Sequence, residues 1–111
     1  MEIIKSSTEI SHVFAQGKRF GASAITLLVI QNNAQHGSQG RAAFVAGKKL
    51  GNAVWRNRAK RRMRAVCRDV GGPWPGYDVV FLAKRATTEQ EYSKVVHACR
   101  KLVTRFLEES R

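Results

Sequence analysis

Nine Lys or Arg side chains and no acid fall between Lys48 and Arg68, in the run KKLGNAVWRNRAKRRMRAVCR. Guanidinium groups grip phosphate oxygens through paired N–H donors, and lysine ammonium groups act as flexible point charges. A cluster this dense suits a polyanion, bound in a salt-dependent way and with little regard to base sequence. The turn at Gly51-Asn52 adds a second device, because the free N–H groups that open the following helix attract anions. Lys48 and Lys49 belong to the same end.

Catalysis by side chains has far less to work with. A metal-dependent nuclease site needs clustered carboxylates. Between Glu9 and Glu89 the only acids are Asp69 and Asp78, each beside an expected turn, and Glu108-Glu109 reads as a charged chain end. His12, His36 and His97 are scattered, with no acid placed to orient a base. His97 and Cys99 are two residues apart on an expected helix and point in different directions. Cys67 and Cys99 have no further cysteine or histidine at metal-ligand spacing. Each falls on an apolar stripe, so the expectation is two buried, reduced thiols in a cytoplasmic protein.

A chain of 111 residues makes one domain, 1–111, large enough for a real core. Its formal net charge is +12, from 20 Lys or Arg against 8 acids, which points to nucleic acid first and an anionic membrane second. No apolar run approaches the ~20 residues of a membrane span. The start, MEIIKSSTEI, lacks the pattern of a secretory signal. No membrane partner is expected.

The elements that must carry the basic run follow from periodicity. Ser6 to Gly17 reads as a helix, opened by a capping-box spacing at Ser6 and Glu9. Ala24 to Gln31 is a strand with apolar residues on both faces, hence central. Asn32 to Gly40 is a polar loop, and Arg41 to Lys49 a second strand, expected to pair antiparallel with the first through that loop. Ala53 to Val70 is a helix. At about 100° per residue, Ala59, Met63, Val66, Cys67 and Val70 share a stripe with Trp55 at its edge. Asn57, Arg61, Arg64 and Arg68 share another face, widened by Arg58 and Arg62. Gly71 to Gly76 forms a turn, Tyr77 to Lys84 a third strand, and a capping box at Thr88–Glu91 opens a last helix. The order α-β-β-α-β-α gives an α+β sandwich, and its β-α-β unit is right-handed by default. Charge alone leaves DNA and RNA open: helix-turn-helix, zinc-finger and aromatic RNP motifs are all missing. A free-standing, ribosome-associated RNA-binding module and a DNA-binding protein stand as alternatives at this point.

The order of residues from Lys48 to Arg64, KKLGNAVWRNRAKRRMR, resembles the signature of the bacterial ribonuclease P protein family, K-K-x-G-x-A-V-x-R-N-R-x-K-R-x-x-R. The element order fits over nearly the whole chain. The resemblance implies a ribosomal-protein-like α-β sandwich whose β-α-β crossover is left-handed, against the default. It implies a non-catalytic subunit of an endoribonuclease, partnered with a large catalytic RNA that cuts precursor tRNA with bound Mg²⁺ and releases the 5′ leader. DNA is then not expected as a partner. The RNA-binding role carries onto Lys48, Lys49, Arg56, Asn57, Arg58, Lys60, Arg61, Arg62, Arg64 and Arg68, with Asn57 near an RNA-bound metal and no metal held by the protein alone. The leader-binding role carries onto Ile10, Phe14 and Leu28. An aromatic ring at Phe14 can stack on a base of any identity. Ile10 stands where many members have a second aromatic, and Leu28 where some have Tyr, so fewer stacking partners are expected here. The basic N-terminal arm is also short, with only Lys5 before the first helix.

Overall fold

In the computed structural model, residues 1–32 and 40–109 are described. Residues 33–39, which hold His36 and most of the expected Asn32–Gly40 loop, lie outside the described residues. The elements are α1 (Ser7–Gln16), β1 (Lys18–Gly21), β2 (Ile25–Gln31), β3 (Arg41–Val45), α2 (Ala53–Asp69), β4 (Tyr77–Ala83), α3 (Ala86–Glu89) and α4 (Tyr92–Glu109), with a 3-10 turn at Lys48–Leu50 between β3 and α2.

The four strands form one sheet in the order β1-β2-β4-β3. The apolar two-sided strand β2 is internal, as expected, pairing antiparallel with β1 on one side and β4 on the other. The expected β2–β3 hairpin does not form. β4 inserts between the two and pairs parallel with β3, Ala43 opposite Val80 and Phe44 opposite Phe81. β4 (YDVVFLA) is buried on both faces, and that is the reason: it satisfies its backbone and side chains only in the middle of the sheet. β1 was not anticipated. Four residues with two charges carry almost no periodic signal, and only Phe20 is buried.

Alternation along the strands makes two cores. Ile25, Leu27, Val29, Phe44, Val79 and Phe81 face α2 and α4, whose Met63, Val66, Cys67, Val95, Cys99 and Phe106 complete the larger one. Trp74, from the turn after α2, closes this core against Phe81 and Phe106, ring centroids 6.3 and 5.2 Å away. That turn uses Gly71 at φ +89° and Gly76 at φ +85°, where a side chain would be strained. On the other sheet face, Leu28, Ala43 and Val80 meet Ile4 and Val13 beneath α1. The open edge at β3 is covered by the N-terminal segment: Ala42 N–H donates to Glu2 O at 3.0 Å and Ile4 N–H to Ala42 O at 2.9 Å. This blunts an edge that could otherwise template aggregation.

The helix starts follow local chemistry. Ser6 Oγ accepts from Glu9 N–H at 3.3 Å, and Asn52 Oδ1 accepts from Trp55 N–H at 2.9 Å. The expected helix start at Thr88 is corrected. Thr88 lies inside the short α3, and α4 begins at Tyr92. The Thr88 hydroxyl is taken by Trp55, whose indole Nε1–H donates to it at 2.9 Å. That tertiary bond competes with a local cap.

Candidate nucleic-acid interface

The basic run divides between two elements. Lys48 and Lys49 are exposed on the 3-10 turn rather than at the end of a strand, since β3 stops at Val45. Gly51 follows them with no room for a side chain: a Cβ there would come within 2.9 Å of Trp55. The tight approach lets Asn52 cap α2 and puts the lysines beside the helix start.

Along α2 the apolar stripe is fixed as periodicity required, with Ala59, Met63, Val66 and Cys67 fully buried. Opposite it, Asn57, Arg58, Arg61, Arg64 and Arg68 are exposed. Arg64 also lies over the Phe44 ring, its guanidinium carbon 5.4 Å from the centroid, which steadies it while leaving its N–H edges free to solvent. Arg56 and Lys60 are half-buried at the flanks, and Arg56 Nε is enclosed with no hydrogen-bond partner.

Arg62 is different from the rest. One guanidinium nitrogen donates to Thr87 O at 2.9 Å and Gln90 O at 2.6 Å, and the group lies 5.5 Å from the Tyr92 ring centroid. These two donors point into the α3–α4 connection. Arg62 thus also fastens α2 to that connection. Thr87, its neighbour, is fully buried: its Oγ1 accepts from Lys84 N–H at 2.9 Å and donates to Ala24 O at 2.6 Å. Through Arg62 and Trp55, α2 is pinned to the segment that ties β2, β4 and α4 together.

The second candidate region is the sheet face under α1. Arg41, read from sequence only as a strand residue, anchors it. Its Nε donates to Asp78 Oδ1 at 3.1 Å and a terminal nitrogen to Asp78 Oδ2 at 2.7 Å, while the same nitrogen reaches Glu9 Oε2 of α1 at 2.7 Å. Asn32 Nδ2 adds a donor to Asp78 at 3.0 Å. The carboxylates hold the Arg41 guanidinium protonated, well above its ordinary range, with the Asp78 bonds the largest cause. No sequence spacing links residues 9, 41 and 78.

Glu9 draws one flank of α1 toward the Arg41–Asp78 end of the sheet. Ile10 and Phe14 leave α1 from its other flank, as the 100° step dictates. Ile10 packs at the edge of the small core, as do half-buried Val45 and its strand partner Leu82. Phe14 is 41% exposed and Ile10 half-buried, so both offer surface, whereas Leu28 is 3% exposed beneath α1. Leu28 is roofed by α1 and offers almost no surface. Val45 precedes Lys48 by three residues in the chain.

Comparison with known proteins agrees with this architecture. The ribonuclease P family profile matches residues 1–107. A ribonuclease P protein component from Symbiobacterium thermophilum is 36% identical over 96 residues, covering 83% of this chain and 79% of that one. One from Natranaerobius thermophilus is 33% identical over 110 residues, covering 97% and 89%. Among solved structures, the Staphylococcus aureus RNase P protein superposes with a TM-score of 0.77 at 18% identity, over 94% of both chains. The Thermotoga maritima RNase P protein gives 0.76 at 23%, over 95% and 97%. The chain belongs to the ribonuclease P protein family.

Proposed function

We propose that this chain is the non-catalytic protein subunit of a ribonuclease P holoenzyme. It binds the catalytic RNA through the outward face of α2 and the 5′ leader of precursor tRNA through the groove between α1 and the sheet, and so promotes endonucleolytic removal of the leader. The observation that carries this reading is the one-sided α2. Asn57, Arg58, Arg61, Arg64 and Arg68 are exposed on a helix whose other side is locked into the core. Such a surface presents several cations on a backbone that needs no ordering to bind, which is what a folded RNA backbone rewards. Lys48 and Lys49 lie beside the start of this helix. In the groove Phe14 can stack on an unpaired base, while the apolar floor is indifferent to base identity.

The chemistry is assigned to the RNA. Among the described residues no group of three or more His, Cys, Asp or Glu could hold a metal ion. Glu9 and Asp78, carboxylates the fold brings together, are both bonded to Arg41. These donors do not fit a protein-held Mg²⁺, and in this reading the ion that the family implies sits on RNA phosphates with the Asn57 amide nearby. No helix among the described residues is long and apolar enough to cross a membrane, and the proposed setting is the cytoplasm.

The test is the RNA that co-purifies with the native protein. One discrete large RNA together with precursor tRNAs is expected. Ribosomal RNA in their place would favour a ribosome-associated module and end this reading.

A further inference from the structure

α4 carries a second cationic surface that the α2 run does not account for. From Tyr92 to Leu107 it has four Lys or Arg and no acid. Its apolar side is committed to the core through Val95, Cys99, Leu102 and Phe106. At 100° per residue, Lys94, Lys101 and Arg105 fall within about 40° of one another, and all three are exposed. At 1.5 Å per residue they mark a line of about 16 Å along the helix. His97 lies on its flank. Arg100 departs toward α2, donating to Asp69 O at 3.4 Å.

The line sits on the side of α4 away from α2. Arg105 lies over the Phe20 ring of edge strand β1, 5.6 Å from the centroid, and Lys18 lies over the same ring at 5.6 Å. Lys18 is also paired with Glu109 at 3.2 Å, which closes the line at its far end. The stripe thus borders β1, while the α2 face borders β3.

A merely solvated helix face alternates signs, because i,i+4 pairs of opposite charge add stability and like pairs subtract it. Lys101 and Arg105 are a like pair at that spacing, and the helix's acids, Glu108 and Glu109, come only at its last turn, where Glu109 is already paired with Lys18. The fold gains the Arg105–Phe20 contact, but Lys94 and Lys101 make no ion pair among the described residues and gain it nothing. A bound polyanion uses them.

We infer that the Lys94–Lys101–Arg105 line is a second RNA-backbone contact, which grips a segment of the partner RNA different from the one under α2. The inference rests on the proposed RNA partner. Two separated cationic lines on one rigid domain would bridge two RNA segments, adding affinity through effective concentration.

The experiment uses the full chain and its cognate ribonuclease P RNA, with affinity measured across a salt series and hydroxyl-radical footprints taken. The variants are K94Q/K101Q/R105Q, K94Q/K101Q and R61A/R64A. The triple variant is expected to lower the slope of log K against log salt by about 2 to 3, since each phosphate contact contributes about 0.7 to 0.9. It should also lose protection over a segment that R61A/R64A leaves protected. If the triple variant misfolds, K94Q/K101Q, which leaves Arg105 on Phe20, decides with a fall of about 1.5. An unchanged slope in a folded variant, or loss of the same segment that R61A/R64A loses, overturns the second contact. Failure of the unaltered chain to bind the RNA at all overturns the proposed function and this inference with it.

Discussion

Replacing Arg62 by alanine separates two kinds of arginine that stand side by side in α2. Arg61 is exposed, whereas Arg62 gives two hydrogen bonds to the carbonyls of Thr87 and Gln90 and rests on the Tyr92 ring. A hydrogen bond from a charged group contributes ~1.5–3 kcal/mol when well buried. Arg62 is half-buried and the carbonyls can rehydrate, so about 1 kcal/mol for each is the fitting end of that scale. The cation–π contact adds ~0.5–1 kcal/mol. Arg62→Ala is thus expected to cost about 2–3 kcal/mol in urea unfolding, with a Tm lower by on the order of 10 °C. The salt slope of RNA binding should change less than for Arg61→Ala, because two of this guanidinium's five N–H donors are already held by protein carbonyls. Arg62→Lys should recover little, since one ammonium group cannot reproduce the planar fork. A loss below about 0.5 kcal/mol, together with a slope change equal to that of Arg61→Ala, would refute the distinction drawn between the two.

Arg61→Ala with Arg64→Ala should do the reverse. Stability should hold within about 1 kcal/mol, while the salt slope falls by about 1.4–1.8, as measured by filter binding at several salt concentrations. Met63→Ala opens a void in a fully buried site and is expected to cost ~2–5 kcal/mol in unfolding, with RNA affinity per folded molecule intact. Asp78→Asn breaks the buried pair with Arg41 and should cost ~3–5 kcal/mol. Glu9→Gln, on the more exposed side of the same guanidinium, should cost under about 1 kcal/mol. The free, buried thiols give a pH dependence. Burial pushes Cys67 up to about 11 and Cys99 up to about 12 from an ordinary value of 9.0. The folded state therefore holds protons that the unfolded state releases, so stability is unaffected below about pH 9 and falls as pH rises from there through 11 and 12. Urea midpoints from pH 7 to pH 11 would show it, and a rise in stability over that range would contradict it.

The parts of this fold legible in the sequence were those with sustained period. The apolar stripe of α2 from Ala59 through Met63 and Cys67 to Val70 runs for about three turns, and its complement of exposed Asn57, Arg61, Arg64 and Arg68 followed from the same geometry. The two-sided β2 was also legible as an internal strand. Strand neighbours were not. A polar loop between β2 and β3 suggests a hairpin, yet the stronger demand came from β4, which needed both faces covered and took the central place. Of the residues expected to meet a leader, Phe14 is exposed and Ile10 half-buried, while Leu28 alternates onto the sheet face that α1 roofs. Arg41, Asp78 and Glu9 stayed hidden because a triad spread over residues 9, 41 and 78 leaves no local pattern. Arg62 stayed hidden because charge counts the same whether its donors face water or a carbonyl.

The claim at the centre of this account is that an otherwise non-catalytic, basic α+β domain supports a reaction performed by RNA. Its most direct measurement is cleavage of precursor tRNA by the cognate catalytic RNA at low Mg²⁺, with and without this chain. The account predicts faster cleavage at the mature 5′ end when the chain is present, and no cleavage by the chain alone. Unchanged RNA-only cleavage on adding the folded chain, or leader removal by the polypeptide without RNA, would contradict it.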